Sequence, residues 1–264
     1  GSSWARQIAK MPEVEVAGLV DVDATRMGAL AEELGISAAS CHTDYQQALR
    51  SVRADIVVLA VPTPLHYDMS VAGLRTGHHV ICEKPLAMTM DEARRLREEV
   101  RRYNHRFMVG EQYRFADGVE NLRRAIADGR IGRLGYIDHE FRRGAHLSMG
   151  RWERAEHWSQ KYEEAALHDM SVHHFDMWYF ITGSPCAEIT VKSFDVAWNS
   201  TNRKFGHSIH ATLRNGAHVH YLTCRALARP QTTWYGLLDI VGEDGALSWN
   251  GDGAEVTLTR TAPT

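Results

Sequence analysis

Cysteine is scarce. The chain has four in 264 residues, Cys41, Cys82, Cys186 and Cys224, far apart and with no C-x-x-C pair. Such spacing supports neither a disulfide framework nor a zinc knuckle, and it reads as a reducing cytoplasm. Long apolar runs are missing too: none approaches the roughly 18 residues of a membrane helix, and the amino end has no basic region followed by an apolar core. Charge of one sign is lacking, with 30 Lys and Arg against 33 Asp and Glu and a net charge of -3. That balance gives no footprint for nucleic acid or an anionic membrane, so neither partner is expected. There is no internal repeat or low-complexity segment. What remains is a globular composition, 44% hydrophobic and 24% charged, enough for one large domain or two of ordinary size.

A glycine-rich phosphate loop is nearly absent as well. A dinucleotide fold opens on a strand that feeds such a loop, whereas Gly1-Ser2-Ser3-Trp4-Ala5 runs straight into a helical pattern that ends before Pro12. Gly1, Ser3 and Trp4 therefore read as the remnant of a cofactor loop whose strand is missing. The expectation is that the native protein has residues before Gly1, and an intact mass of 29.8 kDa would count against it. A cloning scar at Gly1-Ser2 is the alternative.

The rest of the first half has a βαβ rhythm. Residues 14–20 read as a strand closed by Asp21, and Met27, Leu30, Ala31 and Leu34 recur at helical spacing before the stop at Gly35. A short helix follows at 45–50, and the uninterrupted apolar run 56–61 suits a strand covered on both faces of a parallel sheet. After Pro62-Thr63-Pro64 come a helix at 67–75, a strand beginning at Val80 and ending in Glu83-Lys84-Pro85, and a helix with capping-box spacing between Thr89 and Glu92. A strand at 107–110 closes the first domain, residues 1–110. The period then changes. Helices are predicted at 118–128 and 165–181, and strands at 135–143, 188–197, 207–213, 217–224 and 235–241, with short ones after Gly245 and Gly253. Asn215-Gly216 predicts a type I′ hairpin turn. Residues 111–264 thus form an α+β domain.

Several residues could carry chemistry. Asp21, closing a strand, can hydrogen-bond both ribose hydroxyls of NAD and would repel a 2′-phosphate. The alternative is that Asp21 or Asp23 caps the next helix, and Arg26 keeps NADP open. Pro62, Thr63 and His66 follow a strand, where a cofactor lies outside the carboxyl ends; His66 could equally cap a helix. Glu83 and Lys84 occupy the same kind of position, against the alternative of a surface ion pair worth little. Asp169, His173 and Asp176 stand at i, i+4 and i+7 on one helix face, where a carboxylate can orient an imidazole as a general base for an alcohol proton. A structural histidine held by an acid is the commoner use of such a pair. His168, Asp169, His173 and His174 are crowded but match no zinc signature, and no metal is expected. Tyr113 and Arg114 fall at the domain junction, where they could contact substrate. Trp152, His157 and Trp158 could stack on a sugar ring or pack into the core.

Glu83-Lys84-Pro85, followed in the next domain by Asp169-Met170-Ser171-Val172-His173-His174-Phe175-Asp176, resembles the glucose-fructose oxidoreductase, inositol dehydrogenase and rhizopine catabolism (Gfo/Idh/MocA) family. Leu19-Val20-Asp21, Val61-Pro62-Thr63-Pro64-Leu65-His66 and Gly242-Glu243-Asp244-Gly245 are similar to family motifs in the same order, so the likeness spans essentially the whole chain. The resemblance implies an α/β Rossmann domain with a doubly wound parallel sheet. An α+β domain would follow, with a large open, mostly antiparallel sheet whose outer face makes a homodimer or homotetramer. It further implies NAD or NADP and a small polyhydroxylated substrate, a sugar, cyclitol or related polyol oxidised at a secondary hydroxyl. Lys84 matches the family's motif lysine, His173 its catalytic histidine and Asp169 its substrate-binding aspartate; Ser171 stands where a glycine is frequent. Members continue past a position like Thr264. Two other classes stay open, a glycosidase that recycles bound NAD within each turnover and a non-catalytic dinucleotide-binding regulator. Lys84, Asp169 and His173 together argue against the regulator, which needs only the dinucleotide pocket.

Overall fold

The computed structural model describes residues 1–144, 164, 167–197, 204–225 and 230–260. The chain divides into two compact units, Gly1–Gly110 and Glu111–Thr264. Among the described residues no helix is long and apolar enough to cross a membrane.

The first unit alternates α1 (Ser2–Ile8), β1 (Leu19–Val20), α2 (Ala24–Leu34), β2 (Cys41–His42), α3 (Tyr45–Ser51), β3 (Ile56–Leu59), α4 (His66–Arg75), β4 (His79–Cys82), α5 (Met90–Val100) and β5 (Phe107–Val109). Strands β3, β4 and β5 form a parallel sheet, and β1 and β2 a separate parallel pair. Local sequence explains the ends. Gly35 takes the left-handed conformation that closes α2, and Thr89 accepts the Glu92 amide at 3.2 Å while the Glu92 carboxylate takes the Met88 amide at 2.9 Å. Leu59, Leu74, Val80 and Cys82 make the core beside the sheet. The strand predicted at 14–20 shrinks to Leu19–Val20, because β1 finds ladder partners only in β2. At Gly18 the backbone passes so close to the Ser40 carbonyl that a Cβ would lie 2.7 Å from it, so only glycine fits.

The second unit holds α6 (Asp117–Ala127), β6 (Leu134–Arg142), a π-helical turn (Leu167–Ser171), α7 (Val172–Thr182), β7 (Cys186–Phe194), β8 (Gly206–Leu213), β9 (His218–Cys224), β10 (Leu237–Gly242), β11 (Gly245–Trp249) and β12 (Thr257–Arg260). The strands form one seven-stranded sheet in the order β12-β11-β10-β6-β9-β8-β7. Every neighbouring pair is antiparallel except β6 with β9, which is parallel. Alternation decides the faces. Ile137, Phe141, Ile209, Tyr221, Ile240 and Leu247 point to one side and are buried with Leu122, Met177 and Trp178 of the helices. Each such side chain contributes about 1.5–3 kcal/mol by leaving water. Asp138, His210, His218 and His220 alternate with them and are exposed on the other side.

Two predicted local structures are corrected. The turn at Asn215-Gly216 is not type I′, which needs positive φ at both central residues. Only Gly216 (φ 89°) has it. Instead the Gly216 amide donates to the Leu213 carbonyl at 2.9 Å and the Leu213 amide to that of Ala217 at 2.8 Å, closing a longer loop. The continuous helix predicted over 165–181 is replaced, from Leu167 on, by the π-helical turn and then α7.

Candidate active site

In the second unit, α7 presents His173 near its start, 2% exposed. Its Nδ1 lies 2.6 Å from Glu111 Oε2. An ionised carboxylate only accepts hydrogen bonds, so Nδ1 carries the proton and the lone pair is on Nε2. The ring stacks on Tyr113 with centroids 4.3 Å apart and planes 12° from parallel, and Tyr235 backs Tyr113 at 4.5 Å. Burial pushes the Tyr113 phenol up and keeps it neutral.

The helix-face reading of Asp169, His173 and Asp176 is corrected here. Asp169 belongs to the π-helical turn, outside α7, and its Oδ2 lies 3.9 Å from Nη1 of the buried Arg225. The imidazole's carboxylate is therefore Glu111 rather than Asp169. Asp176 takes a two-pronged bond from Arg114, Nε to Oδ2 at 2.6 Å and Nη2 to Oδ1. Arg114 thereby braces the segment Gln112–Phe115 against α7.

His174, the next residue, has the opposite tautomer. Its Nε2 lies 3.0 Å from the Trp234 carbonyl, which can only accept, so Nδ1 receives the Tyr221 hydroxyl proton at 2.6 Å. His139 repeats the pattern, with Nε2 donating to the Tyr235 carbonyl at 2.8 Å and Nδ1 accepting from the Trp178 indole at 2.9 Å. Burial lowers the His139 pKa to about 4 and that of His174 well below its ordinary value. Both rings stay neutral and pin the Trp234–Tyr235 backbone behind Tyr113. No group of three or more His, Cys, Asp or Glu side chains among the described residues could hold a metal.

In the first unit, Glu83 receives the Trp4 indole N–H on Oε1 at 2.6 Å and the Lys84 amide on Oε2 at 3.1 Å, tying α1 to the end of β4. Lys84 follows that strand, half-buried. His66 has Nδ1 2.9 Å from the Pro85 carbonyl and Nε2 2.9 Å from that of Val61; both carbonyls only accept, so a neutral ring donates to one of them, and the side chain sits between the end of β3 and the Glu-Lys-Pro turn. The His66 backbone closes the short turn Thr63–Leu65, while its side chain does not cap α4. Asp23 caps α2 by accepting the Arg26 amide at 3.0 Å and also holds the Arg26 guanidinium at 3.2 Å. Asp21, past the end of β1, accepts only the Asp23 amide among these contacts, at 2.9 Å on Oδ1.

These residues fit a nicotinamide dinucleotide. The Thr63 hydroxyl, after β3 and beside the exposed Pro62, is buried and has no hydrogen-bond partner among the described residues. At Gly1 a Cβ would meet only the Ala60 carbonyl at 3.9 Å, and Ser3 is exposed nearby in the chain. An orphaned hydroxyl and a carboxylate past two strand ends are what ribose and amide groups require. Trp152, His157 and Trp158 lie outside the described residues. Sequence reasoning missed Glu111 and Arg225. Neither has a local signal, since Glu111 meets His173 across 62 positions.

Residues 1–111 match the model of an oxidoreductase family with an NAD-binding Rossmann fold, and residues 119–248 match the GFO/IDH/MocA C-terminal domain. The chain is 31% identical over 176 residues to 1,5-anhydro-D-fructose reductase of Ensifer adhaerens, covering 66% of this chain and 51% of that protein. It is 30% identical over 134 residues to inositol 2-dehydrogenase of Salmonella paratyphi B, covering 50% and 40%. An oxidoreductase from Agrobacterium radiobacter, solved with NAD+, L-tartaric acid and magnesium, shares the fold with a TM-score of 0.85 at 19% identity, over 100% of this chain and 77% of that one. The chain spans 64%, 51% and 51% of the length of three curated relatives that it matches.

Proposed function

From the premise that this chain belongs to the Gfo/Idh/MocA family, with its NAD-binding Rossmann domain and its own C-terminal domain, we propose that it oxidises a secondary hydroxyl of a sugar, cyclitol or related polyol, or runs the reverse reduction, with NAD. The observation that carries the reading is the buried His173 whose Nδ1 lies 2.6 Å from the Glu111 carboxylate, which leaves Nε2 as a base.

In this reading His173 Nε2 takes the hydroxyl proton of the substrate, and Lys84 donates a hydrogen bond to the same oxygen, stabilising the charge that develops there. Asp169 accepts a hydrogen bond from a neighbouring hydroxyl. Asp21 holds the adenosine ribose, and Thr63, with the backbone at Pro62 and the amino-terminal Gly1 and Ser3, lines the rest of the cofactor's path. A bound nicotinamide supplies the hydride acceptor. NAD is favoured over NADP because Asp21 opposes a 2′-phosphate and Arg26 is engaged by Asp23. We take the exposed face of the seven-stranded sheet as the surface of a homodimer or homotetramer. The cytoplasm is the proposed compartment, in keeping with cysteines that are few and far apart in the sequence.

The test is an absorbance screen for NADH and NADPH over sugars, cyclitols, sugar acids and glycosides. Turnover of a polyol with NAD is expected. Glycoside cleavage without net NADH would assign the protein to redox-assisted hydrolysis instead, and dinucleotide binding without any turnover would assign it to regulation.

A further inference from the structure

A base that accepts a proton on Nε2 must keep its own proton on Nδ1, and some group has to hold it there. The side chains of His173 and Glu111 are 3% and 9% exposed and meet at 2.6 Å. We propose that Glu111 is the positioning residue of His173, fixing one imidazole tautomer and stabilising the imidazolium that forms when the substrate proton arrives; this rests on the reading of His173 as the base.

Two constraints act on the ring. The Glu111 bond lies at its edge and sets which nitrogen points away, while the Tyr113 stack holds its plane. A flip of the imidazole would break the bond and leave the carboxylate buried beside a C–H, without its hydrogen bond. As the proton transfers, the carboxylate's bond to a neutral ring becomes one between two opposite charges, and the added Coulomb attraction strengthens it. The stabilisation therefore grows along the reaction. Glu111 and Tyr113 approach from the segment before α6, with Tyr235 behind Tyr113. His174 lies next along the helix, and Asp169 precedes it by a turn, itself 3.9 Å from Arg225. The phenols and His174 are neutral by burial, and among the described residues Glu111 is the charged group bonded to the ring.

Glu111→Gln keeps the shape and removes the charge. Its kcat is expected to fall ~10–100-fold, as for loss of a partner that orients a functional histidine, with KM changed by no more than about threefold. The acid limb of its pH profile should move to lower pH, because the imidazolium has lost its counter-charge. Glu111→Asp should recover part of kcat. In the resting wild-type protein, NMR of the ring nitrogens should show His173 protonated on Nδ1, and Glu111→Gln should mix the tautomers. Unchanged kcat, acid limb and ring signals in Glu111→Gln, while His173→Ala is inactive, would overturn the assignment. A wild-type ring protonated on Nε2 overturns it even if the variant does not fold. Near-normal turnover in His173→Ala instead removes the base itself and, with it, the reading of the reaction.

Discussion

His173 and His174 are consecutive, both buried, and put to opposite uses. One ring gives its Nδ1–H to a carboxylate and keeps a lone pair on Nε2. The other donates from Nε2 to a backbone carbonyl and fills Nδ1 with a tyrosine hydroxyl. Burial alone thus does not decide what a histidine does; the donor or acceptor character of each neighbour decides it. A carboxylate prepares a ring for charge, whereas a carbonyl and a phenol with no charge between them seal it as a neutral bracket.

The contrast can be broken from either side. The largest effect is expected at His173→Ala, with a loss of ~10² to 10⁴ in kcat by steady-state kinetics and only a secondary fall in the urea midpoint from the Glu111 carboxylate left buried without its partner. Lys84→Ala should lose a similar factor. His174→Ala should reverse the pattern. It takes one hydrogen bond from the Tyr221 hydroxyl, which keeps Ser171 Oγ at 3.2 Å, and one from the Trp234 carbonyl, each worth about 0.5–1.5 kcal/mol, so the midpoint should drop well before the tautomer of His173 changes.

Acid sharpens the same contrast. His139 titrates at about 4 in the folded protein against 6.5 in the unfolded chain, because burial opposes its charge. The unfolded state therefore binds its proton first. The associated stability is present above pH 6.5 and is lost as pH falls toward 4, on the order of 3 kcal/mol, and His174 acts in the same direction. Unfolding midpoints across that window should fall. The smallest effect is expected at Asp176→Asn. Arg114 is 35% exposed at its side chain, so losing the pair should cost about 1 kcal/mol and leave KM for the substrate as it was.

Legibility followed the distance over which each feature is decided. The spacing of Met27 and Ala31, the Gly35 stop and the Thr89–Glu92 cap are settled within one helix and were readable as such. The βαβ order and the antiparallel second half followed from periodicity in the same way, and the family motifs gave the Rossmann assignment. The carboxylate of His173 was placed one turn away, where helix geometry puts Asp169. The π-helical turn takes Asp169 out of that frame, and Glu111 arrives from the end of another strand. No local pattern reports such a meeting. His66 shows the same limit, since its two carbonyl partners become neighbours only when β3 and β4 pair. At Asn215-Gly216 the dipeptide was right for a tight loop, but Asn215 does not adopt positive φ.

The parallel pairing of β6 with β9 has a kinetic side. β7, β8 and β9 run as a meander of neighbours, as do β10, β11 and β12, so each set can assemble from local hairpins. β6 alone joins them, and both of its partners follow it in the chain by way of long loop closures. It is the keystone of the sheet, and non-local contacts of this kind set a slow step. Trp234 and Tyr235, whose carbonyls fix the tautomers of His174 and His139, lie just ahead of β10. A refolding chain followed by pulsed amide exchange is therefore expected to protect β8 and β9 before β6. The protonation pattern around the active-site helix should be acquired at the last docking event, as a product of assembly.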